Sequence, residues 1–369
     1  MKNFYFFKTL FTILIPLLFV SCDHEKNIQI KKDGMIFIQG GKFLMGGDND
    51  EARSDEYPKH SVEVSSFWMD ETEVTNAQFR KFIEETGYLT TAERKINWDE
   101  IKSALPPGTP KPHDSLLAPA SLVFNEFDTE NLNDYSKWWS LVRNANWKQP
   151  FGPDSDIEGK DNYPVVHVSW EDALAYCKWS GKRLPTEAEY EYASRGGKKN
   201  NIYSWGNTKI DADKIQANSW NGSFPSSNTV LDKFYYSSPV KSFSPNGYGL
   251  YDIAGNVWEW CSDWYHSEYY SMLPKKGSIN PKGPENSYDP MEPFSDKKVI
   301  RGGSFLCNDS YCSGYRNSAR MKTTPDSSSL HTGFRTVYSD EKVKCLNLFR
   351  WNVHLKQQLT KKYYVCLFY

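Results

Sequence analysis

The sequence Arg301–Arg320, RGGSFLCNDSYCSGYRNSAR, is the segment around which the rest of the chain is interpreted. It opens with two glycines, which allow sharp turns and close approach of the backbone to other groups. Cys307 and Cys312 follow, five positions apart. Side chains at this spacing diverge on a straight helix and point to opposite faces of a straight strand. The two sulfurs can therefore meet only if the chain bends between them.

The residues between the cysteines favour such a bend. Asn308, Asp309 and Ser310 are turn-forming types whose short polar side chains bond to nearby backbone groups. Converging sulfurs can form a structural disulfide, a redox couple, or a pair of soft thiolate ligands for a metal such as Cu(I). Disulfides are the usual fate of paired cysteines in an oxidising compartment. The residues alone leave these alternatives open.

The composition indicates a loop-rich globular protein. The 369 residues carry a formal net charge of −2, which gives no reason to expect nucleic acid as a partner. Aromatic residues make up 15% of the chain, beside 23 Gly and 20 Pro, a combination in which rings fill irregular gaps and which a disordered chain lacks. The length permits two domains or one large one. The other cysteines, apart from Cys22, show no obvious pairing, which argues against a dense disulfide framework.

The N-terminus is typical of a bacterial lipoprotein signal. Lys2 and Lys8 precede the apolar run Leu10–Val20, which is too short to span a bilayer comfortably. A small residue then stands directly before Cys22, which predicts cleavage there and a lipid on its thiol. An ordinary secretory signal with an incidental cysteine is the alternative. Lipidation would anchor the mature protein to a membrane of the cell envelope, facing the periplasm or the exterior.

Local patterns predict few regular elements. The predictions, in chain order, are a β-hairpin over 34–47, a strand over 60–69, a helix from Thr75 to Gly87, a strand over 164–168, a helix from Ser169 to Gly181, and a helix from a capping box at Thr186 to about Ser194. Residues 88–163 predict a long irregular region of the same domain, with a linker as the alternative. Residues 341–369 are basic and apolar by turns, and we assign this atypical tail no function.

Oxygen-bearing side chains are scattered through the irregular segment 198–340. Asn218, Asp232, Asp252, Asn256 and Glu259 stand at predicted turns, and Ca²⁺ binds oxygens from loops of this kind. None of them forms an EF-hand loop. Spacing alone therefore favours turn residues and caps over a calcium site.

Longer motifs resemble those of one family. They are GMIFIQGGKFLMGG at 34–47, MDETEVTNAQF at 69–79, PVVHVSWEDALAYCKWSGKRLPTEAEYEYASRGG at 164–197, SPNGYGLYDIAGNVWEW at 244–260, RGGSFLCNDSYCSGYR at 301–316 and TPDSSSLHTGFR at 324–335. Together they resemble the formylglycine-generating enzymes, also called sulfatase-modifying factors. Several of these motifs are shared by the whole superfamily, whereas the two cysteines of the RGGS segment mark its catalytically competent members.

The resemblance implies a fold and an activity. The fold is a single compact α+β domain with little regular secondary structure, over 34–340, after a signal peptide at 1–21 and a tether at 22–33. The activity is oxidation of the cysteine in a Cys-x-Pro-x-Arg segment of an unfolded sulfatase to Cα-formylglycine, with O2 as oxidant. The implied cofactors are Cu(I) and Ca²⁺.

The resemblance also implies roles for particular residues. Cys307 and Cys312 match the copper-binding cysteines, and Ser304 and Trp258 match positions near the oxygen and the substrate. The implied calcium ligands are Asn218, Ser219 (carbonyl), Asp232 and Phe234 (carbonyl) at one site, and Asp252, Gly255 (carbonyl), Val257 (carbonyl) and Glu259 at a second. The resemblance thus reverses the expectation from spacing.

The sequence departs from the family at several positions. Cys177 stands opposite Thr336 where relatives carry a disulfide, and Ser194 with Asn317 replaces a second bridge. Cys177 is then expected to be a buried free thiol. His331 stands where relatives carry Asn near the active cleft, and it can affect substrate positioning or be a plain surface residue.

Two rival functions belong to the same superfamily. A non-catalytic scaffold lipoprotein, of the kind found in gliding-motility or secretion machinery, would not need both Cys307 and Cys312. An iron-dependent sulfoxide synthase usually carries an additional helical domain with a histidine metal cluster, and this chain has seven scattered His.

Overall fold

The computed structural model describes residues 31–32, 34–102, 108–127, 137–212 and 214–339. The predicted signal peptide, Cys22 and the tail at 341–369 lie outside the described residues. The helices in the described ranges are α1 Asn76–Thr86, α2 Trp98–Ile101, α3 Trp170–Ser180, α4 Glu187–Ser194 and α5 Tyr269–Met272. No helix within these ranges has the length and apolar character needed to cross a membrane.

The strands are short and separated by long irregular connections. They are β1 Lys31–Lys32, β2 Met35–Ile38, β3 Gly41–Met45, β4 His60–Val64, β5 Phe67–Asp70, β6 Ala120–Phe124, β7 Trp139–Arg143, β8 Gly222–Ser223, β9 Ser227–Asn228, β10 Trp258–Trp264, β11 Ser278–Ile279, β12 Lys298–Arg301, β13 Met321–Thr323, β14 Thr332–Gly333 and β15 Val337–Tyr338. Their orders in the sheets are β1-β2-β5-β15, β13-β12-β10-β14, β11-β4-β3, β6-β7 and β8-β9. The expected α+β fold with low regular content is confirmed.

The predicted helices are confirmed at their caps. Thr75 accepts a hydrogen bond from the Gln78 N–H, and Gly87 ends α1 with a φ of 65°. That left-handed conformation suits glycine because it has no Cβ. At α4, Thr186 Oγ1 accepts the Glu189 N–H at 3.1 Å while the Glu189 carboxylate accepts the Thr186 N–H at 2.9 Å. The capping box predicted from the sequence is therefore present.

The predicted hairpin over 34–47 is wrong. Both strands exist, but β2 pairs with β5 whereas β3 pairs with β4. At Gly40 the chain passes from one sheet to the other, and an added Cβ would lie 2.3 Å from the Val64 carbonyl oxygen. The same crossing splits the predicted strand over 60–69 into β4 and β5. Apolar alternation indicates a strand, but it does not identify the partner strand.

The predicted strand over 164–168 is also wrong. Pro164 makes a single bridge with Thr75, and the next residues bond in different directions. The Val165 N–H donates to the Val74 carbonyl and the His167 N–H to the Ser329 carbonyl, each at 2.9 Å. His167 has a φ of 58°, which is incompatible with extended backbone.

The long region over 88–163 is more ordered than predicted. Its strands β6 and β7 form an antiparallel hairpin, which the sequence patterns did not predict. Trp138 and Trp147 are only 1% and 2% exposed. Buried His167 ties the hairpin to the core, because its Nδ1 lies 2.7 Å from Ser121 Oγ and its Nε2 lies 2.9 Å from the Pro150 carbonyl.

Buried ion pairs hold the chain that follows the cysteines. The Arg316 guanidinium forms a two-pronged contact with the Glu56 carboxylate, at 2.7 and 2.8 Å. Arg320 binds Glu187 in the same way, at 2.6 and 3.0 Å. Removing one partner of such a pair leaves an uncompensated buried charge and costs about 3–5 kcal/mol. These contacts fix the C-terminal side of the cysteine loop.

Polar side-chain contacts are found at the positions where the two disulfides of the family were expected to be missing. Ser194 Oγ donates to Asn317 Oδ1 at 2.5 Å, so these two positions do meet. Thr336 instead bonds to the Asp70 carboxylate through both its N–H and its hydroxyl. Cys177 is a buried free thiol, as expected, and burial together with the Asp70 charge raises its pKa to about 12. This thiol is therefore inert at neutral pH.

Candidate active site

Three neighbouring strands bring the predicted site residues together. β10 begins at Trp258, and it pairs antiparallel with β12 and parallel with β14. Ser304 lies just beyond β12, and His331 lies just before β14. The Trp258 N–H donates to the His331 carbonyl at 2.8 Å, which locks these two segments side by side. The register of the sheet thus fixes the relative positions of Trp258, Ser304 and His331.

The chain bends between the two cysteines as the sequence predicted. The Cys307 N–H donates to the Ser304 carbonyl at 2.9 Å, which starts the bend. The Asn308 carbonyl then accepts the N–H groups of Tyr311, Cys312 and Ser313 at 3.0–3.1 Å. The Asn308 side chain also donates to the Trp220 and Gly222 carbonyls, at 3.1 Å each. Asn308 therefore organises the loop and attaches it to the body of the domain.

Cys307 and Cys312 are free thiols, 1% and 5% exposed. Burial, and then the neighbouring Cys312, raises the pKa of Cys307 well above its usual range. At Cys312 burial acts in the same direction, but hydrogen bonds from the Cys307 thiol and the Gly314 N–H, together with the Arg53 charge, hold the pKa below its usual value. The two thiols therefore differ in acidity, and Cys312 is the one that more readily loses its proton.

Gly314 and Trp258 pack beside the cysteine pair. A Cβ added at Gly314 would lie 2.3 Å from Trp258 Cη2 and 2.9 Å from Cys307 Sγ. The Gly314 backbone therefore packs against both the indole and the sulfur. The loop also receives Arg53, whose Nη2 donates to the Cys312 carbonyl at 2.7 Å. Sequence reasoning missed both Gly314 and Arg53, and Arg53 carries no local signal because it lies far from the cysteines in the chain.

Ser304 connects Cys307 to His331. The Ser304 N–H donates to Cys307 Sγ at 3.3 Å, and its Oγ lies 3.3 Å from His331 Nδ1. The His331 ring packs edge-on against Trp139, with 4.7 Å between ring centroids. Burial lowers the pKa of His331, so the ring is neutral at pH 7. His331 thus belongs to the site, and the alternative of a plain surface residue is wrong.

The cysteine pair fits a soft monovalent metal. Two converging sulfurs match the ligand preference of Cu(I). The Gly314 N–H acts to lower the pKa of both cysteines and so favours the thiolate form that a metal binds. Asp309, Ser310 and Tyr311, which connect the two cysteines, are exposed, whereas the cysteines themselves are buried.

The residues of the first implied calcium site lie together. Asp232 accepts the Ser219 and Phe234 N–H groups, each at 3.0 Å, and so fixes the two residues whose carbonyls are implied as ligands. Asn218 Oδ1 and Ser219 Oγ are buried with no hydrogen-bond partner among the described residues. A buried carbonyl oxygen without a partner is costly, and an oxygen-seeking cation would satisfy it. These residues fit Ca²⁺.

The second implied site contains an additional carboxylate. Asp252 Oδ1 and Glu73 Oε2 are both buried without a hydrogen-bond partner in the described part of the chain. Glu259 is already engaged, because Arg335 donates to it at 2.6 and 2.9 Å. Burial and the Asp252 and Glu259 charges raise the pKa of Glu73. Three carboxylates facing one guanidinium leave excess negative charge, which a divalent cation would balance.

Glu73 was missed from the sequence because it lies more than 140 positions upstream of the other members. It reaches them through Asn256, whose Nδ2 donates to Glu73 Oε1 at 3.0 Å. The remaining implied ligands, Gly255 and Val257, lie between Asp252 and Glu259 in the chain. Among the residues that the structure describes, no three His, Cys, Asp or Glu side chains form a ready-made metal cage. Both implied sites would combine carboxylates with carbonyl or amide oxygens.

Comparison with known proteins identifies similar sequences. Residues 21–340 match the family model described as Sulfatase-modifying factor enzyme 1-like domain. The chain is 44% identical over 305 residues to the formylglycine-generating enzyme of Thermomonospora curvata, which covers 82% of this chain and 92% of that protein. It is 36% identical over 351 residues to the Mus musculus protein named Inactive C-alpha-formylglycine-generating enzyme 2, covering 92% of this chain and 97% of that one.

A solved structure supports the fold. The structure of PvdO from Pseudomonas aeruginosa matches with a TM-score of 0.54 at 23% identity, covering 82% of this chain and 93% of that one. At this identity the match bears on architecture alone.

Proposed function

Because this chain belongs to the sulfatase-modifying factor family, we propose that it converts the cysteine of a Cys-x-Pro-x-Arg segment in an unfolded sulfatase to Cα-formylglycine. Similarity alone does not separate the active from the inactive proteins of this kind, since both appear among the relatives. The observation that carries the proposal is the adjoining pair of free thiols at Cys307 and Cys312, which an exposed segment connects.

We propose Cu(I) as the cofactor and O2 as the oxidant. Cys307 and Cys312 would hold the metal, which when bound supplies the one-electron chemistry that O2 activation requires. The protein contributes the positions of the two sulfurs. Asn308 fixes the bend, and the Gly314 N–H and the Arg53 charge both act to lower the pKa of Cys312, which favours its thiolate form.

The substrate peptide would lie across the cysteine loop. Its cysteine must approach the sulfurs past Asp309–Tyr311, and it must be extended to reach them from solvent. Trp258 packs against Gly314 beside the cysteine pair, where it would contact the substrate. Ser304 and His331 line the site beside Cys307, where they can orient the reacting thiol.

We also propose bound calcium. Ca²⁺ at the two implied sites would bind the buried oxygens that lack hydrogen-bond partners, and it would stabilise the irregular segment between residues 218 and 259.

We further propose a lipid anchor. Lipid on Cys22 would hold the enzyme at a membrane of the bacterial cell envelope, outside the cytoplasm. The N-terminal sequence pattern supports this placement.

The test is formation of an aldehyde on a peptide. The copper-loaded full-length protein is incubated in air with a peptide that contains Cys-x-Pro-x-Arg, and the product is analysed by mass spectrometry. We expect loss of sulfur and gain of a carbonyl oxygen, whereas a matched peptide with Ser in place of Cys stays unchanged. A protein that binds copper and peptide but forms no aldehyde would favour the non-catalytic scaffold.

A further inference from the structure

A series of aromatic rings leads from the cysteine pair to the surface. Tyr315 follows Gly314, the residue that contacts Cys307 Sγ. The Tyr315 ring centroid lies 6.0 Å from that of Tyr203 and 6.4 Å from that of Trp205. Tyr203 and Trp205 stack at 4.8 Å with an interplanar angle of 6°. Neighbouring rings are therefore close enough for rapid electron transfer between them.

The series begins inside the protein and ends at solvent. Tyr315 and Tyr203 are each 1% exposed and belong to the same hydrophobic cluster as the two cysteines. Trp205 is partly exposed at the edge of that cluster, and its Nε1 donates to the Thr208 carbonyl at 2.8 Å. A reductant too large to enter the site can still reach Trp205.

Each phenol in the series has a carboxylate partner. The Tyr315 hydroxyl donates to Asp309, and the Tyr203 hydroxyl donates to Glu51 at 3.1 Å. Both carboxylates belong to exposed residues. An oxidised phenol is a strong acid, so a buried tyrosine gives up an electron readily only where a base accepts its proton. Asp309 and Glu51 are placed to accept those protons and to return them.

We propose that Tyr315, Tyr203 and Trp205 form a one-electron relay through which an external thiol supplies electrons to the active site. The inference rests on the proposed oxidation by O2. Conversion of R–CH2–SH to R–CHO and hydrogen sulfide releases two electrons, whereas reduction of O2 to water consumes four. The remaining two come from two molecules of thiol R′–SH, which leave as R′–S–S–R′. The sum is R–CH2–SH + O2 + 2 R′–SH → R–CHO + hydrogen sulfide + R′–S–S–R′ + water.

The relay moves one electron at a time. Tyr315 gives an electron to the site and its proton to Asp309. Tyr203 then reduces Tyr315, which recovers its proton from Asp309, while the Tyr203 proton passes to Glu51. Trp205 next reduces Tyr203, which recovers its proton from Glu51. A thiolate in solvent finally reduces Trp205 and is oxidised toward the disulfide.

The test compares two Tyr-to-Phe variants of the full-length, copper-loaded protein. Tyr315→Phe keeps the ring but removes the oxidisable phenol through which both Tyr203 and Trp205 reach the site. Tyr265→Phe is the control, because Tyr265 is also buried and its hydroxyl donates to the Asp55 carboxylate at 2.8 Å in a different cluster. The rate of aldehyde formation is measured at saturating peptide with dithiothreitol as the thiol, together with copper affinity, peptide KM and Tm.

We expect Tyr315→Phe to lower kcat about tenfold or more, with peptide KM and copper affinity unchanged and with a weakened dependence of rate on thiol concentration. Tyr265→Phe should retain the parent rate. Trp205→Phe should lose rate as Tyr315→Phe does.

Three outcomes would overturn the relay. A parent rate and thiol dependence in either Tyr315→Phe or Trp205→Phe would show that electrons take another route. A fall in copper affinity or Tm that accounts for the lost rate would give Tyr315 a structural role instead. Equal losses in Tyr265→Phe would show that the effect is not specific to the series. A parent protein that forms no aldehyde would instead refute the proposed function.

Discussion

Glu73 lies buried beside Asp252 and Glu259, and Arg335 is the cation that faces all three. Its Oε2 is 3.9 Å from Arg335 Nη2, too far for a hydrogen bond. Without a divalent cation, Glu73 therefore adds repulsion. With calcium bound, it would contribute a ligand oxygen.

Replacing Glu73 should reveal this dual effect. We expect Glu73→Gln to lower Tm in calcium and to raise it, relative to the parent, in a chelator. Thermal unfolding of both proteins with and without calcium measures the two shifts. Glu71→Gln is the control, because Glu71 binds Lys241 Nζ at 2.6 Å and belongs to no implied calcium site. Shifts of the same sign in both conditions would contradict the role of Glu73.

Asp263 makes stability depend on pH. Burial, and then the Glu187 carboxylate, raises its pKa to about 7. The unfolded chain has the ordinary value of about 3.9. Since the folded protein holds this proton more tightly, the stabilising contribution is complete below about pH 4 and is lost as pH rises through 7.

An Asp263→Asn variant tests this dependence. Asn retains an oxygen to accept the Glu187 N–H and Ser262 hydroxyl bonds, which are 3.0 and 2.9 Å long. We expect the free energy of unfolding of the variant to gain on that of the parent by about 1.4 kcal/mol per pH unit between pH 4 and 7. Urea unfolding across that range measures the difference. A difference that does not change with pH would show that Asp263 does not titrate there.

The site residues that the sequence predicted each lie within a continuous sequence motif. Cys307, Cys312 and Ser304 stand within a single motif, and Trp258 lies in another. Glu73 could not be predicted, because it comes from the N-terminal part of the chain and only the tertiary fold places it beside Asp252. His331 gave an ambiguous signal because a side chain's surroundings depend on packing.

At the scale of elements, caps were predictable and strand partners were not. Thr75, Ser169 and Thr186 each bond within their own first turn, so three or four letters define them. The run over 34–47 gives two strands by composition, yet β2 and β3 find their partners in β5 and β4. Pairing is decided by the backbone approach at Gly40, which local alternation does not encode.

The contact between Ser194 and Asn317 makes an engineered bridge feasible. Both residues are buried and their side chains already touch, so the double variant Ser194→Cys, Asn317→Cys should form a disulfide. It would close a loop of more than 100 residues and should raise the free energy of unfolding by about 2–4 kcal/mol.

The measurement is thermal unfolding of the double variant with and without reductant. Ser194→Cys alone is the control, because it adds a thiol but no bridge. A double variant whose Tm is independent of reductant would show that the two backbones are too far apart or wrongly oriented for the bond.

At the scale of the molecule, the described fold ends close to the last strand. β15 pairs with β5, and its Val337 exchanges two backbone bonds with Arg183, at 2.9 and 2.8 Å. We expect a chain truncated after residue 340 to retain the rate of aldehyde formation and copper binding of the full-length protein. Truncation after residue 336, which also removes β15, should destabilise the fold.

Both truncations are assayed for peptide oxidation and Tm. An inactive protein ending at residue 340 would show that residues 341–369 take part in function. A fully stable protein ending at residue 336 would contradict the structural role of β15.

The site depends on four segments that only the complete fold assembles. Arg53 comes from the N-terminal part, Trp258 from β10, the cysteines from the loop after β12, and His331 from the start of β14. Family motifs predicted three of these segments, whereas the contribution of Arg53 follows from the packing of a loop that sequence patterns do not describe.

The most direct test of the proposed two-sulfur copper site is the stoichiometry of Cu(I) binding, measured by competition with a chromophoric chelator. We predict one tightly bound ion per parent chain, and loss of that ion in both Cys307→Ser and Cys312→Ser. Cys177→Ser and Cys261→Ser, which replace buried thiols outside the site, should bind copper as the parent does. Undiminished binding in either Cys307→Ser or Cys312→Ser would contradict the two-sulfur site.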